Sequence, residues 1–223
     1  GEVVGLNGPW VLDQSDFSYA AAVHSSADRV AFSLLGPKVF RLALFKLFPA
    51  PKRIAELPLG SYEHDVEALA FSADGALLAS GTRSGNVELF AANDGSRLAS
   101  FQSSEPVVSL AFDAEKKWLC LGGAQGRLTL LSLPGLELAI EAKFSDDEVR
   151  AVAFSRDGLL YAGGWNKQIV AYDLTREDPL SLSPRRRFDF PWFVNDFTLD
   201  AEGRTMGVAF SEQKAQRTPE LHR

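Results

Sequence analysis

The 223-residue chain carries 23 Lys and Arg against 29 Asp and Glu, a formal net charge of −6. This acidic excess argues against a nucleic-acid-binding module, whose clustered basic surface neutralises phosphates. Apolar residues make up 46% and aromatics 11%, enough for a substantial core and too many for a disordered chain. No run approaches the roughly 18 consecutive apolar residues that a membrane-spanning helix needs; the stretch 39–48 is broken by Arg41 and Lys46. The single cysteine, Cys120, permits no intramolecular disulfide, and no Asn stands in an N-x-S/T frame. With no signal-like start, the chain reads as intracellular, cytoplasmic or nuclear, in a reduced compartment. It begins at Gly1 and its only methionine is Met206, so a product of a longer reading frame is expected.

In chain order, residues 2–6 and 10–13 read as strands that either complete a last unit from the other end or belong to a preceding one. Strands are then expected at 19–23, 29–33, 39–48 and 54–57. From Val66 a pattern recurs. VEALAFSADGALLASGTRSGNVELF is followed from Val107 by VVSLAFDAEKKWLCLGGAQGRLTLL and from Val149 by VRAVAFSRDGLLYAGGWNKQIVAY. Phe71, Phe112 and Phe154 lie 41 and 42 residues apart; Gly81, Gly122 and Gly163 lie 41 and 41 apart. Phe90, Leu131 and Tyr172 repeat at 41 as well. Within the first of these units, alternating apolar residues at 66–71 lead to the Asp74-Gly75 turn, a second strand at 77–80, a third at 86–90 and a fourth at 97–101. A further fourth strand is expected at 136–141, and a last pair at 194–199 and 205–210. Four short strands per 41 or so residues is the unit of a β-propeller.

The three central units resemble WD40 repeats. The resemblance rests on the V-x-x-[LV]-A-F-S-x-D-G opening at 66–75 and 149–158, and on the small residue before Gly at Ser80-Gly81 and Ala162-Gly163. The closing Trp-Asp pair is degenerate, as Phe90-Ala91, Leu131-Ser132 and Tyr172-Asp173. The Asp that the family places between strands two and three is replaced by Ser84, Gln125 and Asn166. The resemblance implies an all-β fold, a propeller of four-stranded antiparallel blades. About four to five are expected over residues 1–211, as a closed ring or an incomplete one. Clear repeats occupy 62–102, 103–143 and 144–180, weaker blades 14–61 and 188–211, and a polar tail 212–223.

The family resemblance further implies a protein–protein interaction scaffold that assembles a multiprotein complex, with other proteins as partners; the acidic charge and the lack of a long apolar run argue against nucleic-acid and membrane partners. In a propeller of this type the loops leading into strand one and the turns between strands two and three open on one face. The lead-in loops carry acid: Glu63 and Asp65, then Glu105, then Asp146, Asp147 and Glu148. Side by side they form a rim suited to a basic peptide. Trp165 lies in a turn on the same face where no core position is expected, and exposed Trp is a common interface anchor; Arg83 and Lys167 make the rim's centre mixed in charge. The connection 175–191 reads as a polar insertion between blades, with Ser183-Pro184 before Arg185, Arg186 and Arg187 as a candidate phosphorylation site. No catalytic motif is present, and scattered His residues with a lone Cys offer no cofactor or metal site. The chain is therefore expected not to be an enzyme. A hydrolase- or lactonase-type propeller enzyme with channel carboxylates, and a substrate receptor of a ubiquitin-ligase complex, are the alternatives. The channel positions instead hold small apolar residues such as Val66, Ala68, Ala151 and Ala153. Oligomeric state is not readable.

Overall fold

The computed structural model describes residues 17–24, 26, 28–35, 40–50, 52–60, 65–175, 180–200 and 205–212. The expected strands at 2–6 and 10–13, together with Glu63 and the tail from 213, lie outside them. The described chain is all-β. The first sheet contains β1 (Phe17–His24), β2 (Arg29–Leu35), β3 (Phe40–Lys46) and β4 (Lys52–Gly60). The second contains β5 (Val66–Phe71), β6 (Leu77–Thr82), β7 (Asn86–Ala91) and β8 (Arg97–Gln102). The third is β9 (Val107–Phe112), β10 (Trp118–Gly123), β11 (Arg127–Ser132) and β12 (Glu137–Lys143). The fourth is β13 (Ala151–Phe154), β14 (Leu160–Gly163), β15 (Gln168–Thr175) and β16 (Ser181–Asp189). A two-stranded sheet, β17 (Phe193–Leu199) with β18 (Met206–Ser211), follows. Each sheet is an antiparallel meander in chain order.

The strand β16 corrects one expectation. Residues 181–189 are not a polar insertion but the outermost strand of the fourth sheet, with Ser183 opposite Asp173 and Arg187 opposite Val170. An outermost strand has little to bury, so its sequence carries few apolar residues and reads as a loop. Ser183, Pro184 and the three arginines are exposed along it.

The first strands of successive sheets lie against one another, β1 on β5, β5 on β9, β9 on β13 and β13 on β17. Among the described residues this makes an open sector rather than a closed ring. The core lies between the sheets. Leu78 and Phe90 pack on Leu42 and Leu44, Val87 and Leu89 on Leu119 and Leu121, Leu128 and Leu130 on Val152 and Leu160, and Ile169 on Val194 and Phe197. Each fully buried leucine of this kind contributes about 1.5–3 kcal/mol. The glycine column has a steric cause. A Cβ at Gly81 would stand 2.5 Å from Val107 Cγ1, one at Gly122 would stand 2.9 Å from Val149 Cγ1, and one at Gly163 would stand 3.2 Å from Phe197 Cε1. Glycine at the end of the second strand is thus what lets the next sheet's first strand approach.

Candidate functional site

Hydrogen bonds place the lead-in loops beside the turns between second and third strands. Arg83 N donates to Asp65 O at 2.8 Å, Gln125 N to Glu105 Oε2 at 2.8 Å, and Trp165 N to Glu148 O at 3.2 Å. These segments share one face in the second, third and fourth sheets. Yet the acids expected to line it do not all face solvent.

Glu105 is 4% exposed. Its two carboxylate oxygens accept from Gln125 N and Arg127 N at 2.8 and 2.9 Å, so it clamps the β10–β11 turn and cannot meet a partner. The turn lacks the Asp that would satisfy its own N–H groups, and Glu105 supplies the acceptors from across the blade. Glu148 is 8% exposed and lies 3.3 Å from Arg150 Nη1. It too is turned inward. Asp146 is the opposite case: its side chain is fully exposed, 3.2 Å from Lys143 Nζ. Asp147 is half-buried. Asp65 is partly buried with no hydrogen bond to Oδ1; burial raises its pKa, and the Arg83 guanidinium opposes the rise. Arg83 itself is 3.8 Å from Glu67 Oε1.

Trp165 is not a free anchor. It is half-buried, its Nε1 donates to Asn195 Oδ1 at 3.3 Å, and the Arg150 guanidinium lies 5.6 Å from its ring centroid. The indole bridges the fourth sheet to β17. Lys167, at φ 63°, holds its ammonium 4.8 Å from the Phe193 ring.

Of the first strands, β9 and β13 carry no ionisable side chain, Glu67 of β5 faces Arg83, His24 at the end of β1 is hydrogen-bonded to Ala73 O, and Asp196 of β17 accepts from Phe197 N. Cys120 is fully buried, and burial pushes its thiol up and away from thiolate chemistry. Among the described residues no group of three or more His, Cys, Asp or Glu is placed to hold a metal ion, and no helix is long and apolar enough to cross a membrane.

The opposite face, formed by the turns between first and second strands, was not singled out from sequence. It holds a groove of about 300 Å³ between the third and fourth sheets, lined by Asp113, Glu115, Trp118, Arg156, Asp157 and Arg185 among others.

The repeated units have counterparts in known proteins. A model of the anaphase-promoting complex subunit 4 WD40 domain matches residues 38–115, which cover β3 to the end of β9. The chain carries repeats similar to WD40 repeats. The small ribosomal subunit protein RACK1 of Schizosaccharomyces pombe is 29% identical over 113 residues, 47% of this chain and 36% of that protein. Cross-pathway control WD-repeat protein 2 of Flammulina velutipes is 29% identical over 150 residues, 62% of this chain and 44% of that protein. The matched part is therefore less than half the length of either relative. The WD40 likeness accounts for the four-stranded sheets, the glycine column and the shared face of lead-in loops and turns.

Proposed function

We propose that residues 1–211 form a non-catalytic propeller unit that assembles other proteins into a complex inside the cell, and that its lead-in face recognises a basic segment of a partner. WD40 relatives support an interaction scaffold in general. The matched family and one relative are named as subunits of larger assemblies, the anaphase-promoting complex and the small ribosomal subunit, which favours a role within a complex. The observation that carries the non-catalytic reading is the composition of the first strands: Val, Ala, Leu, Ser and Phe on β9 and β13, the acid of β5 facing an arginine, and His24 of β1 and Asp196 of β17 standing on strands separated by three others. On the face itself, Asp146 is exposed, Asp65, Arg83, Asp147 and Trp165 are half-buried, and Glu105 and Glu148 are buried.

The test is affinity capture with quantified identification of bound proteins, comparing the wild type with Asp146→Lys/Asp147→Lys. A set of partners depleted by the double variant, with the melting temperature unchanged, supports the face. Capture that is indifferent to the charge reversal removes it. Turnover of an ester, lactone or phosphate substrate, lost in Glu67→Gln, would overturn the non-catalytic reading.

A further inference from the structure

The outermost strand of the fourth sheet carries a sequence that its packing does not explain. Residues 183–187 read Ser-Pro-Arg-Arg-Arg, and all of them are exposed. Strand order in this sheet is β13-β14-β15-β16, so β16 is paired along one edge alone. The chain has two dipeptides in which Ser or Thr precedes Pro, at Ser183 and Thr218. Only the first has a cation three residues after the hydroxyl: Arg186 follows Ser183, whereas Leu221 follows Thr218.

The register gathers these side chains. Ser183 lies opposite Asp173, and Arg186 lies opposite Ala171, two residues along β15. Opposed residues share a face, and so do residues two apart on one strand, which puts Ser183 and Arg186 on the same side of the sheet. Arg186 rests there over Phe188, 5.8 Å from its ring centroid. Arg185 is the extra residue where the register shifts between Ala171 and Tyr172. The bulge turns it to that side as well, its Nη1 3.2 Å from Asp173 Oδ1, the carboxylate opposite Ser183. One hydroxyl thus shares an exposed face with two guanidinium groups.

The strand is least tied at this point. Pro184 has no N–H to give to the ladder, and the bulge leaves Arg185 without an opposite residue. The Arg185–Asp173 pair is 59% and 51% exposed on its two sides, so water and salt screen it and hold it only weakly.

We propose that Ser183 is a phosphorylation site for a proline-directed serine/threonine kinase that selects a cation three residues after the serine, and that the phosphate then takes Arg185 from Asp173. In the modification Ser183 Oγ attacks the γ-phosphorus of ATP. The Oγ–P bond forms as the bond from that phosphorus to the β–γ bridging oxygen breaks, ADP leaves, and the hydroxyl proton passes to the kinase's catalytic carboxylate. Phosphoserine carries a charge of about −1.5 to −2 at pH 7 and three acceptor oxygens. A guanidinium binds phosphate through two parallel N–H bonds, so Arg185 exchanges a screened carboxylate for a stronger partner. This site lies apart from the lead-in face and does not depend on it.

The test is incubation of the whole chain with MgATP and a purified cyclin-dependent kinase, a class that reads both Pro and the later cation, with incorporated phosphate located by mass spectrometry. One phosphate is expected, on Ser183, at a rate within about tenfold of that for the free peptide of residues 177–191, because an exposed edge strand opens easily. Ser183→Ala is expected to abolish it and Ser183→Thr to restore it. Arg186→Gln is expected to slow it about tenfold through the lost charge contact with the kinase. Phosphate on Thr218 in place of Ser183, undiminished incorporation in Ser183→Ala, an unchanged rate in Arg186→Gln, or a folded chain slower than the stated margin overturns the site. In the phosphorylated chain, the ³¹P signal of Ser183 is expected to titrate at a higher pH in Arg185→Gln than in the wild type, because the guanidinium favours the dianion. Coincident titrations overturn the exchange of partners.

Discussion

Glu105 and Asp113 flank the same strand, β9, one at each end. Both are almost wholly buried and both accept two backbone N–H groups. Glu105 does so with both oxygens, closing its account inside the molecule; Asp113 uses one and leaves the other bare. Burial alone therefore separates nothing. What distinguishes the two is which lone pairs are occupied: Glu105 closes its turn with both oxygens, Asp113 with one.

Substitutions can break this contrast. Glu105→Ala has the largest expected effect, a loss of about 2–4 kcal/mol by urea denaturation, because two N–H groups lose charge-assisted partners at once. A loss below about 1 kcal/mol would show that the clamp is dispensable. Asp113→Ser is expected to change stability by less than about 1 kcal/mol in either direction, since the serine hydroxyl serves the same turn in β5–β6 and β13–β14. A large destabilisation would mean that Asp113 is structural after all.

Asp65 provides the pH-dependent case. A carboxyl whose pKa is raised on folding is protonated more readily in the folded chain. Ionising it therefore costs stability as pH climbs from the unfolded value of about 4 through the raised one. Asp65→Asn is accordingly expected to be more stable than the wild type at pH 7, with the advantage fading below pH of about 4, where both side chains are neutral. Equal stability at pH 7 would show that Arg83 fully offsets the burial.

Much of the fold was legible because its units are short and repeat. The columns at Phe71, Phe112 and Phe154 and at Gly81, Gly122 and Gly163 mark where a strand ends against a turn and where one sheet must pass close to the next. The strand β16 escaped notice because, at the outer edge, Pro184 and three arginines meet no packing demand. The site was less legible. Sequence placed Glu105, Glu148 and Trp165 on a face of lead-in loops and turns, but the direction of a side chain within a loop depends on which N–H groups the turn leaves unpaired, and those emerge only when the strands are paired. The signal for the opposite groove was present in the repeats: Ser72, Asp113 and Ser155 occupy one column, and Leu77, Trp118 and Leu159 another. It is a departure from a pattern and carries no motif.

The most direct test is urea denaturation of Glu105→Gln beside Asp113→Asn. Glu105→Gln leaves one acceptor oxygen for two N–H groups that now use both carboxylate oxygens, and is expected to lose about 1–3 kcal/mol. Asp113→Asn keeps the single oxygen that serves both of its N–H groups and is expected to change stability by less than about 1 kcal/mol. Equal losses in the two variants would contradict the division of labour between the two buried carboxylates.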